Sequence, residues 1–275
     1  MNKAKSKSNK NKAFFRLGLW FLAILTLVLI GAAGYKAVKS SVWDGQNRLG
    51  LIDLSRGQIE LINYLPAEKK EYIWEIPADL EVDVPFGYGR YQLRKVFQLG
   101  ELDGIGEPLL LRTASNLFGL KIDAFRLEGK TNLSWWDRLR INFIGLTKSW
   151  QTTRLNLTGQ IGRLDQIVNE NLFDSQLAKE AIAIAVLNAS GEAGEANLVT
   201  RLITNLGGHV VTIGNSDQQR EKSEIWVGSA GLKNSVTLKF LKAILGPVPV
   251  KLESNLLQYR SDIVVVVGRD YATLP

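Results

Sequence analysis

The 275 residues contain no cysteine. Disulfides, thiolate metal sites, cysteine nucleophiles and a lipidated lipoprotein-type cysteine are thereby excluded. Histidine occurs once, at His209, so most metal-ligand clusters and acyl-transfer triads lack their parts. Directly after Gly207-Gly208, His209 reads as a strand-start residue with no catalytic role. No acidic residue precedes Asp44, whereas Lys3, Lys5, Lys7, Lys10, Lys12 and Arg16 are basic. Removing these six from the 34 Lys and Arg leaves 28 basic against 27 acidic residues. The formal charge of +7 therefore sits almost wholly at one end, beside an apolar run, and signals topology rather than a nucleic-acid partner. Hydrophobic residues at 45% and charged residues at 22% describe a globular chain with a solvated Lys/Ser/Asn tail over 1–13.

Residues 17–34 carry no charge, and Phe14 and Phe15 extend the apolar stretch across Arg16. As a helix this run reaches roughly 27–30 Å, the thickness of a hydrocarbon core. The expected span is 14–35, with Trp20 and Tyr35 near the two interfaces. Lys36 and Lys39 follow it. The excess of positive charge ahead of the span predicts a cytoplasmic N-terminus and an extracytoplasmic C-terminus. A cleaved signal peptide is the competing reading, with Gly31-Ala32-Ala33 as small residues at the cut. The run exceeds the roughly 7–15 residues of a signal core, which favours a retained single-pass anchor. A buried core helix is disfavoured by the lysine-rich flank and the uninterrupted apolar circumference.

Three stretches follow. In 44–128, residues 48–54 and 58–65 alternate as two strands around the turn Ser55-Arg56-Gly57. Residues 71–76 predict a third strand closed by Pro77. Residues 91–99 and 108–118 predict helices, the second ended by Gly119, and 121–127 predicts a strand. In 129–180, Ser134 is placed to cap a helix carrying Trp135, Trp136, Leu139, Phe143, Leu146 and Trp150. Arg138, Arg140 and Lys148 make that helix basic; it suits either an interfacial helix on the outer leaflet or, favoured here, packing against the first domain. A short strand over 153–157 and a helix over 163–172 complete a helical connector. In 181–275, strands are expected at 182–188, 209–214, 224–227, 248–252 and 262–267, and helices at 195–206 and 235–245. The order β-α-β-β-α-(β)-β predicts a two-layer domain with both helices on one face. The fold class is thus α/β (α+β): an N-terminal transmembrane helix, a degenerate mixed α/β region and a C-terminal two-layer domain.

The third stretch resembles the LytR C-terminal domain of LytR–CpsA–Psr cell-envelope proteins. Val186-Leu187-Asn188-Ala189-Ser190-Gly191 and Gly194 resemble its opening, Val211-Thr212-Ile213-Gly214-Asn215 its second strand, and Val264-Val265-Val266-Val267-Gly268-Arg269-Asp270-Tyr271 its ending. The first stretch resembles a reduced LytR–CpsA–Psr catalytic domain. Its opening hairpin is matched from Leu49-Gly50-Leu51-Ile52-Asp53 to Ile62. Ile76-Pro77-Ala78-Asp79 stands where the family has Ile-Pro-Arg-Asp, and Asn116-Leu117-Phe118-Gly119-Leu120-Lys121-Ile122-Asp123 resembles its later Leu-Leu-Gly-Ile-Pro-Ile-Asp segment. The resemblance implies transfer of glycopolymer from a lipid pyrophosphate carrier to the cell wall. Two departures argue against that activity here: Ala78 replaces the expected phosphate-binding arginine, and the later arginine-rich segment has no counterpart. A pyrophosphate needs converging arginines.

Several candidate sites emerge. The turn from Asn188 through Ser190 and Gly191 to Gly194 exposes backbone N–H groups at a helix start, suited to an anion or sugar hydroxyl. The plainer reading has Ser190 capping the helix, while Glu192 and Glu195 complement its dipole and repel anions. Asp79, Glu81 and Asp83 alternate as a divalent-cation candidate, though an exposed strand edge gives the same pattern. Arg90, Arg94 and Lys95 form a basic cluster for anionic wall polymer, or simply a solvated helix face. Asn132-Leu133-Ser134 and Asn156-Leu157-Thr158 match the glycosylation sequon, a signal common by chance. No cofactor, metal or nucleic acid is expected. The partners expected are the membrane and either cell-wall polymer or another envelope protein. The preferred function is a non-catalytic binding or scaffold role. The alternative is a divergent glycopolymer transferase using Asp79 with Arg90 or Arg94 and magnesium. A filled first domain favours the former and a deep apolar tunnel the latter.

Overall fold

A computed structural model describes residues 20–22, 25–28, 31–55, 57–147 and 149–273. The basic tail 1–13 and the start of the expected span, 14–19, lie outside the described residues. The chain divides into two compact units, residues 1–46 with 133–148, and residues 47–132 with 149–275.

Helix α1 (Trp20–Lys39) opens the first unit and is long and apolar enough to cross a membrane. Twenty residues at about 1.5 Å each match a hydrocarbon core of roughly 30 Å.

The second unit begins with the antiparallel meander β1 (Leu49–Asp53), β2 (Ile59–Leu65) and β3 (Lys70–Ile76). A small hairpin follows, β4 (Glu81–Val84) against β5 (Gly89–Gln92). Here the structure corrects the sequence: residues 91–99 are not one helix. Tyr91 and Gln92 finish β5, a 3-10 turn spans Leu93–Lys95, and α2 (Val96–Glu101) carries the rest. The cause is tertiary, since Tyr91 and Gln92 pair with Val82 and Glu81. Helix α3 (Gly106–Phe118) ends at Gly119, whose φ of 57° is left-handed, as its sequence position predicts. The strand expected over 121–127 is shorter, β6 (Ala124–Leu127), and pairs with β7 (Lys130–Thr131).

Helix α4 (Trp135–Leu146) belongs to the first unit. Ser134 closes a capping box with Asp137, as expected of a Ser three residues ahead of an acid. Trp150 falls beyond the helix end.

Back in the second unit, β8 (Gln151–Asn156) adds in parallel to β3, giving a six-stranded sheet ordered β7-β6-β1-β2-β3-β8. Helix α5 (Leu164–Leu172) joins the core of this sheet through Leu164, Ile167, Val168 and Leu172. After α6 (Ser175–Glu180) come β9 (Ala183–Asn188), α7 (Glu195–Asn205), β10 (His209–Asn215), β11 (Glu224–Val227), α8 (Val236–Leu245), β12 (Val250–Leu252), β13 (Ile263–Val267) and α9 (Arg269–Ala272). The second sheet is ordered β10-β9-β13-β11-β12. Alternation decides its two faces. Ile184, Val186, Ile263, Val265 and Val267 face Val199, Leu202 and Ile203 of α7 and Leu238 and Leu241 of α8. Ala185, Leu187, Val264 and Val266 face the opposite way, against Leu256. Both helices thus lie on one face, as the order of elements predicts. The fold is mixed α/β throughout.

Candidate functional site

The interior of the first sheet is occupied. Trp74 and Phe118 are fully buried and pack with their rings tilted by 44° at 6.4 Å between centroids, amid Leu61, Leu93, Leu109, Leu110 and Leu120. Against the outer end of this layer lies an open cleft of 640 Å³. Leu54, Ile59, Phe97 and Leu127 supply its apolar lining. Its charges are two of each sign, Arg94 and Lys130 with Glu101 and Glu128. Lys130 is committed twice, to Glu101 at 2.6 Å and over the Phe97 ring at 4.9 Å.

The residues singled out in the first stretch do not converge on one point. Asp79 lies exposed in the turn before β4, not in line with Glu81 and Asp83, which share that strand's outer face. Among the described residues, no three His, Asp or Glu side chains are grouped to hold a metal. Arg90 stands across the hairpin from Asp83 and pairs with Glu81 at 3.5 Å. Arg94 donates from Nε to the Ala78 carbonyl at 2.7 Å, bracing the Ile-Pro-Ala-Asp turn with its own cation.

The Asn188–Gly194 turn is held by its own polar groups. Ser190 Oγ donates to Asn188 Oδ1 at 2.7 Å and accepts from the Glu192 N–H at 3.0 Å. Asn188 Nδ2 donates to the Glu192 carbonyl at 2.7 Å. Ser190 therefore closes the turn and does not cap the helix, a correction to the sequence reading. The α7 N-cap is Gly194, at φ 90°, with no side-chain cap. The reason is spacing: Ser190 stands four positions before the N-cap Gly194, too far for its hydroxyl to reach the first helical N–H groups. Gly191, at φ 86°, sits where a Cβ would approach the Gln219 amide to 2.9 Å.

Glu195 stands in the first turn of α7, where the sequence places a charge to complement the helix dipole, but its partner was not visible in the sequence. Glu195, the first residue of α7, is buried and pairs with Arg112 of α3. Arg112 also lies 4.4 Å over the Tyr271 ring. Burial pushes the Tyr271 phenol up, with the Arg112 cation opposing it. The ending Gly268-Arg269-Asp270-Tyr271 gains a physical account. A Cβ at Gly268 would come within 2.4 Å of the Lys222 backbone carbon. Asp270 accepts from the Ser223 N–H at 2.8 Å and hydroxyl at 2.7 Å. Tyr271 supplies the face on which Arg112 rests.

A second bridge joins the two sheets' helices. Arg201 of α7 donates from Nε to Asp165 of α5 at 2.7 Å and 3.0 Å, and from its terminal nitrogens to the Asn116 and Leu117 carbonyls of α3. Asn205 donates to the Gly119 carbonyl at 3.0 Å and to Asp165 at 2.8 Å. A cation and an amide thereby satisfy carbonyls at the C-terminal end of α3 that the helix leaves open.

In the first unit, Asp137 gathers the segment after α1. It accepts from the Ser41 hydroxyl, the Val42 N–H at 3.1 Å and the Trp43 N–H at 3.3 Å, besides Ser134. Burial would raise its pKa, but these bonds outweigh burial and hold the carboxyl below the usual carboxylate range. Arg140 donates to the Trp43 carbonyl and lies 5.3 Å over Trp136.

Residues 181–271 match the family model described as LytR cell envelope-related transcriptional attenuator. The chain thus carries a LytR C-terminal domain at its C-terminal end. No curated protein matches the sequence. Similar solved structures include TagU from B. subtilis, at 14% identity and TM-score 0.25, covering 29% of this chain and 34% of that one. TagT from B. subtilis gives 15% identity and TM-score 0.26 over 50% of this chain and 46% of that one. A LytR-CPS2A-psr family protein, YwtF (TagT) with bound octaprenyl pyrophosphate lipid, gives 15% identity and TM-score 0.25 over the same shares. The chain spans a third to a half of the length of these solved relatives.

Proposed function

We propose that this chain is a membrane-anchored, extracytoplasmic envelope protein that binds surface polymer or another envelope protein without carrying out transfer chemistry. Helix α1 serves as a single-pass anchor, with the lysine-rich tail in the cytoplasm and both sheets outside. The LytR C-terminal domain supports the envelope setting. One observation carries the non-catalytic reading: the positions expected to hold a lipid pyrophosphate are spent on the protein itself. Ala78 presents only a carbonyl, Arg94 is bonded to it, and Arg90 faces Glu81. Filling of the first sheet's interior by Trp74 and Phe118 leaves no lipid-tail space at that point. The cleft beside Arg94 favours the transferase alternative in its apolar floor, but its balanced charges do not suit a pyrophosphate.

The test uses the full chain in detergent micelles. It should co-sediment with purified cell-wall material. It should release no carrier and transfer no polymer from a polyprenyl-pyrophosphate-linked glycopolymer, with or without magnesium. Donor-dependent transfer would establish the enzyme instead. Protease added to spheroplasts should digest the portion after α1; protection of that portion would reverse the topology.

A further inference from the structure

Helix α4 buries one face and exposes an apolar stripe on the opposite one. Asp137, Ile141 and Ile144 form its buried side. Trp135, Leu139, Phe143 and Leu146 recur at intervals of four, four and three, which places them within an arc of about 80° on the other side. These four side chains are 47, 51, 66 and 81% exposed. Large apolar residues scattered singly over a surface are ordinary, but a continuous stripe marks an interaction surface. It contains no acid: Asp137 is the helix's single carboxylate and is turned inward. Arg138 is exposed on the stripe's flank.

The chain itself says what covers this stripe. The first turn of α4 is tied through Asp137 to Ser41, Val42 and Trp43. Those residues begin two positions after α1 ends at Lys39. Two residues of extended chain reach no more than about 7 Å. Where α1 leaves a bilayer, α4 therefore starts at headgroup depth. Tryptophan, leucine and phenylalanine on one side and arginine beside them are what an interfacial helix needs.

We propose that α4 lies in the headgroup–acyl boundary of the bilayer that α1 crosses, its Trp135–Leu139–Phe143–Leu146 stripe in the acyl region and Arg138 reaching toward lipid phosphates. This seat presupposes the anchor role of α1. It makes the protein a two-point membrane attachment, with residues 41–43 as the rigid joint.

The absence of native cysteine allows single spin labels in the full chain, reconstituted in vesicles of phosphatidylcholine and phosphatidylglycerol. Labels go on Leu139→Cys, Phe143→Cys, Gly145→Cys and Thr26→Cys. Gly145 lies off the stripe, where a Cβ meets open space. Collision with oxygen should exceed collision with a water-soluble nickel chelate several-fold at Thr26, Leu139 and Phe143, and the order should reverse at Gly145. High nickel access at both stripe positions, with Thr26 in lipid, overturns the seat and leaves the anchor standing. Low access to both reagents there means that protein, a second copy included, covers the stripe, and also overturns it. Nickel access at Thr26 overturns the anchor and the seat together.

Discussion

Arg112 of α3 and Glu195 of α7 form an ion pair in which the two side chains keep only 13 and 11% of their exposure. The pair links a helix packed on the first sheet to the start of a helix on the second. Removing one partner of such a pair strands the other charge. Arg112→Ala should therefore lower stability by about 3 kcal/mol, moderated by the α7 dipole acting on Glu195. Arg112→Leu combined with Glu195→Gln should recover much of that loss, because neither side then leaves a buried charge. Urea midpoints of the full chain in micelles would measure both. Equal losses in the single and double variants would show that the pair's electrostatics are irrelevant.

Arg201 makes a different demand. Its planar fork serves Asp165 and two α3 carbonyls together. Lysine keeps the charge but cannot reproduce three directed bonds. Arg201→Lys should cost roughly 1–3 kcal/mol. Hydrogen exchange of the last turn of α3 should quicken with it. Unchanged exchange there would mean that the carbonyl contacts contribute nothing to holding α7.

Both bridges were hidden in the sequence, whereas the elements they join were not. The Gly119 helix stop, the Ser134 cap and the apolar strand at 263–267 are local patterns, and each appears where the pattern places it; Arg56 of the expected Ser55–Gly57 turn lies outside the described residues. Residues 89–92 are too short and too polar for alternation to declare a strand; pairing with β4 makes them one. The place of β8 beside β3 depends on a parallel register across some 80 residues of chain, which no local period encodes. Arg112 follows Leu109 by three positions and Asn205 follows Leu202 by three, so each sits beside an apolar face. A polar group in that position was the available signal for an inward partner. The wall-polymer candidates, Arg90 and Arg94, were legible as charges, but what they already bind was not.

Glycines in the C-terminal domain should differ by cause. At Gly268, φ is −87° and any residue fits the backbone, but a Cβ would meet the Lys222 carbon at 2.4 Å and the Ser223 nitrogen at 2.6 Å. Backbone cannot rotate aside as a side chain can. Gly268→Ala should cost about 2–3 kcal/mol and free Ser223 from Asp270. At Gly194 the space is open but φ is 90°, so Gly194→Ala should cost only about 1–2 kcal/mol, from conformational strain. Thermal melts of the two variants would rank them; the reverse order would contradict the steric origin assigned to Gly268.

Asp137 should give the joint between α1 and α4 a dependence on pH. Its folded pKa lies below the unfolded value because the bonds from Ser41, Ser134 and Val42 outweigh burial. A lowered carboxylate pKa contributes stability that is fully present above the unfolded value, about 3.9, and is lost as pH falls through the folded value. Protection of the Val42 and Trp43 amides from exchange should therefore hold at neutral pH and decline below about pH 4. Asp137→Ala should remove that protection at neutral pH, at a cost of about 2 kcal/mol, because it leaves buried donors without an acceptor. Asp137→Asn retains one acceptor oxygen but cannot ionise. It should preserve part of the protection and abolish its acid dependence, which separates the charge from the capping geometry. If exchange at Val42 and Trp43 is the same in the wild-type and both variants across this range, the carboxylate does not hold the joint.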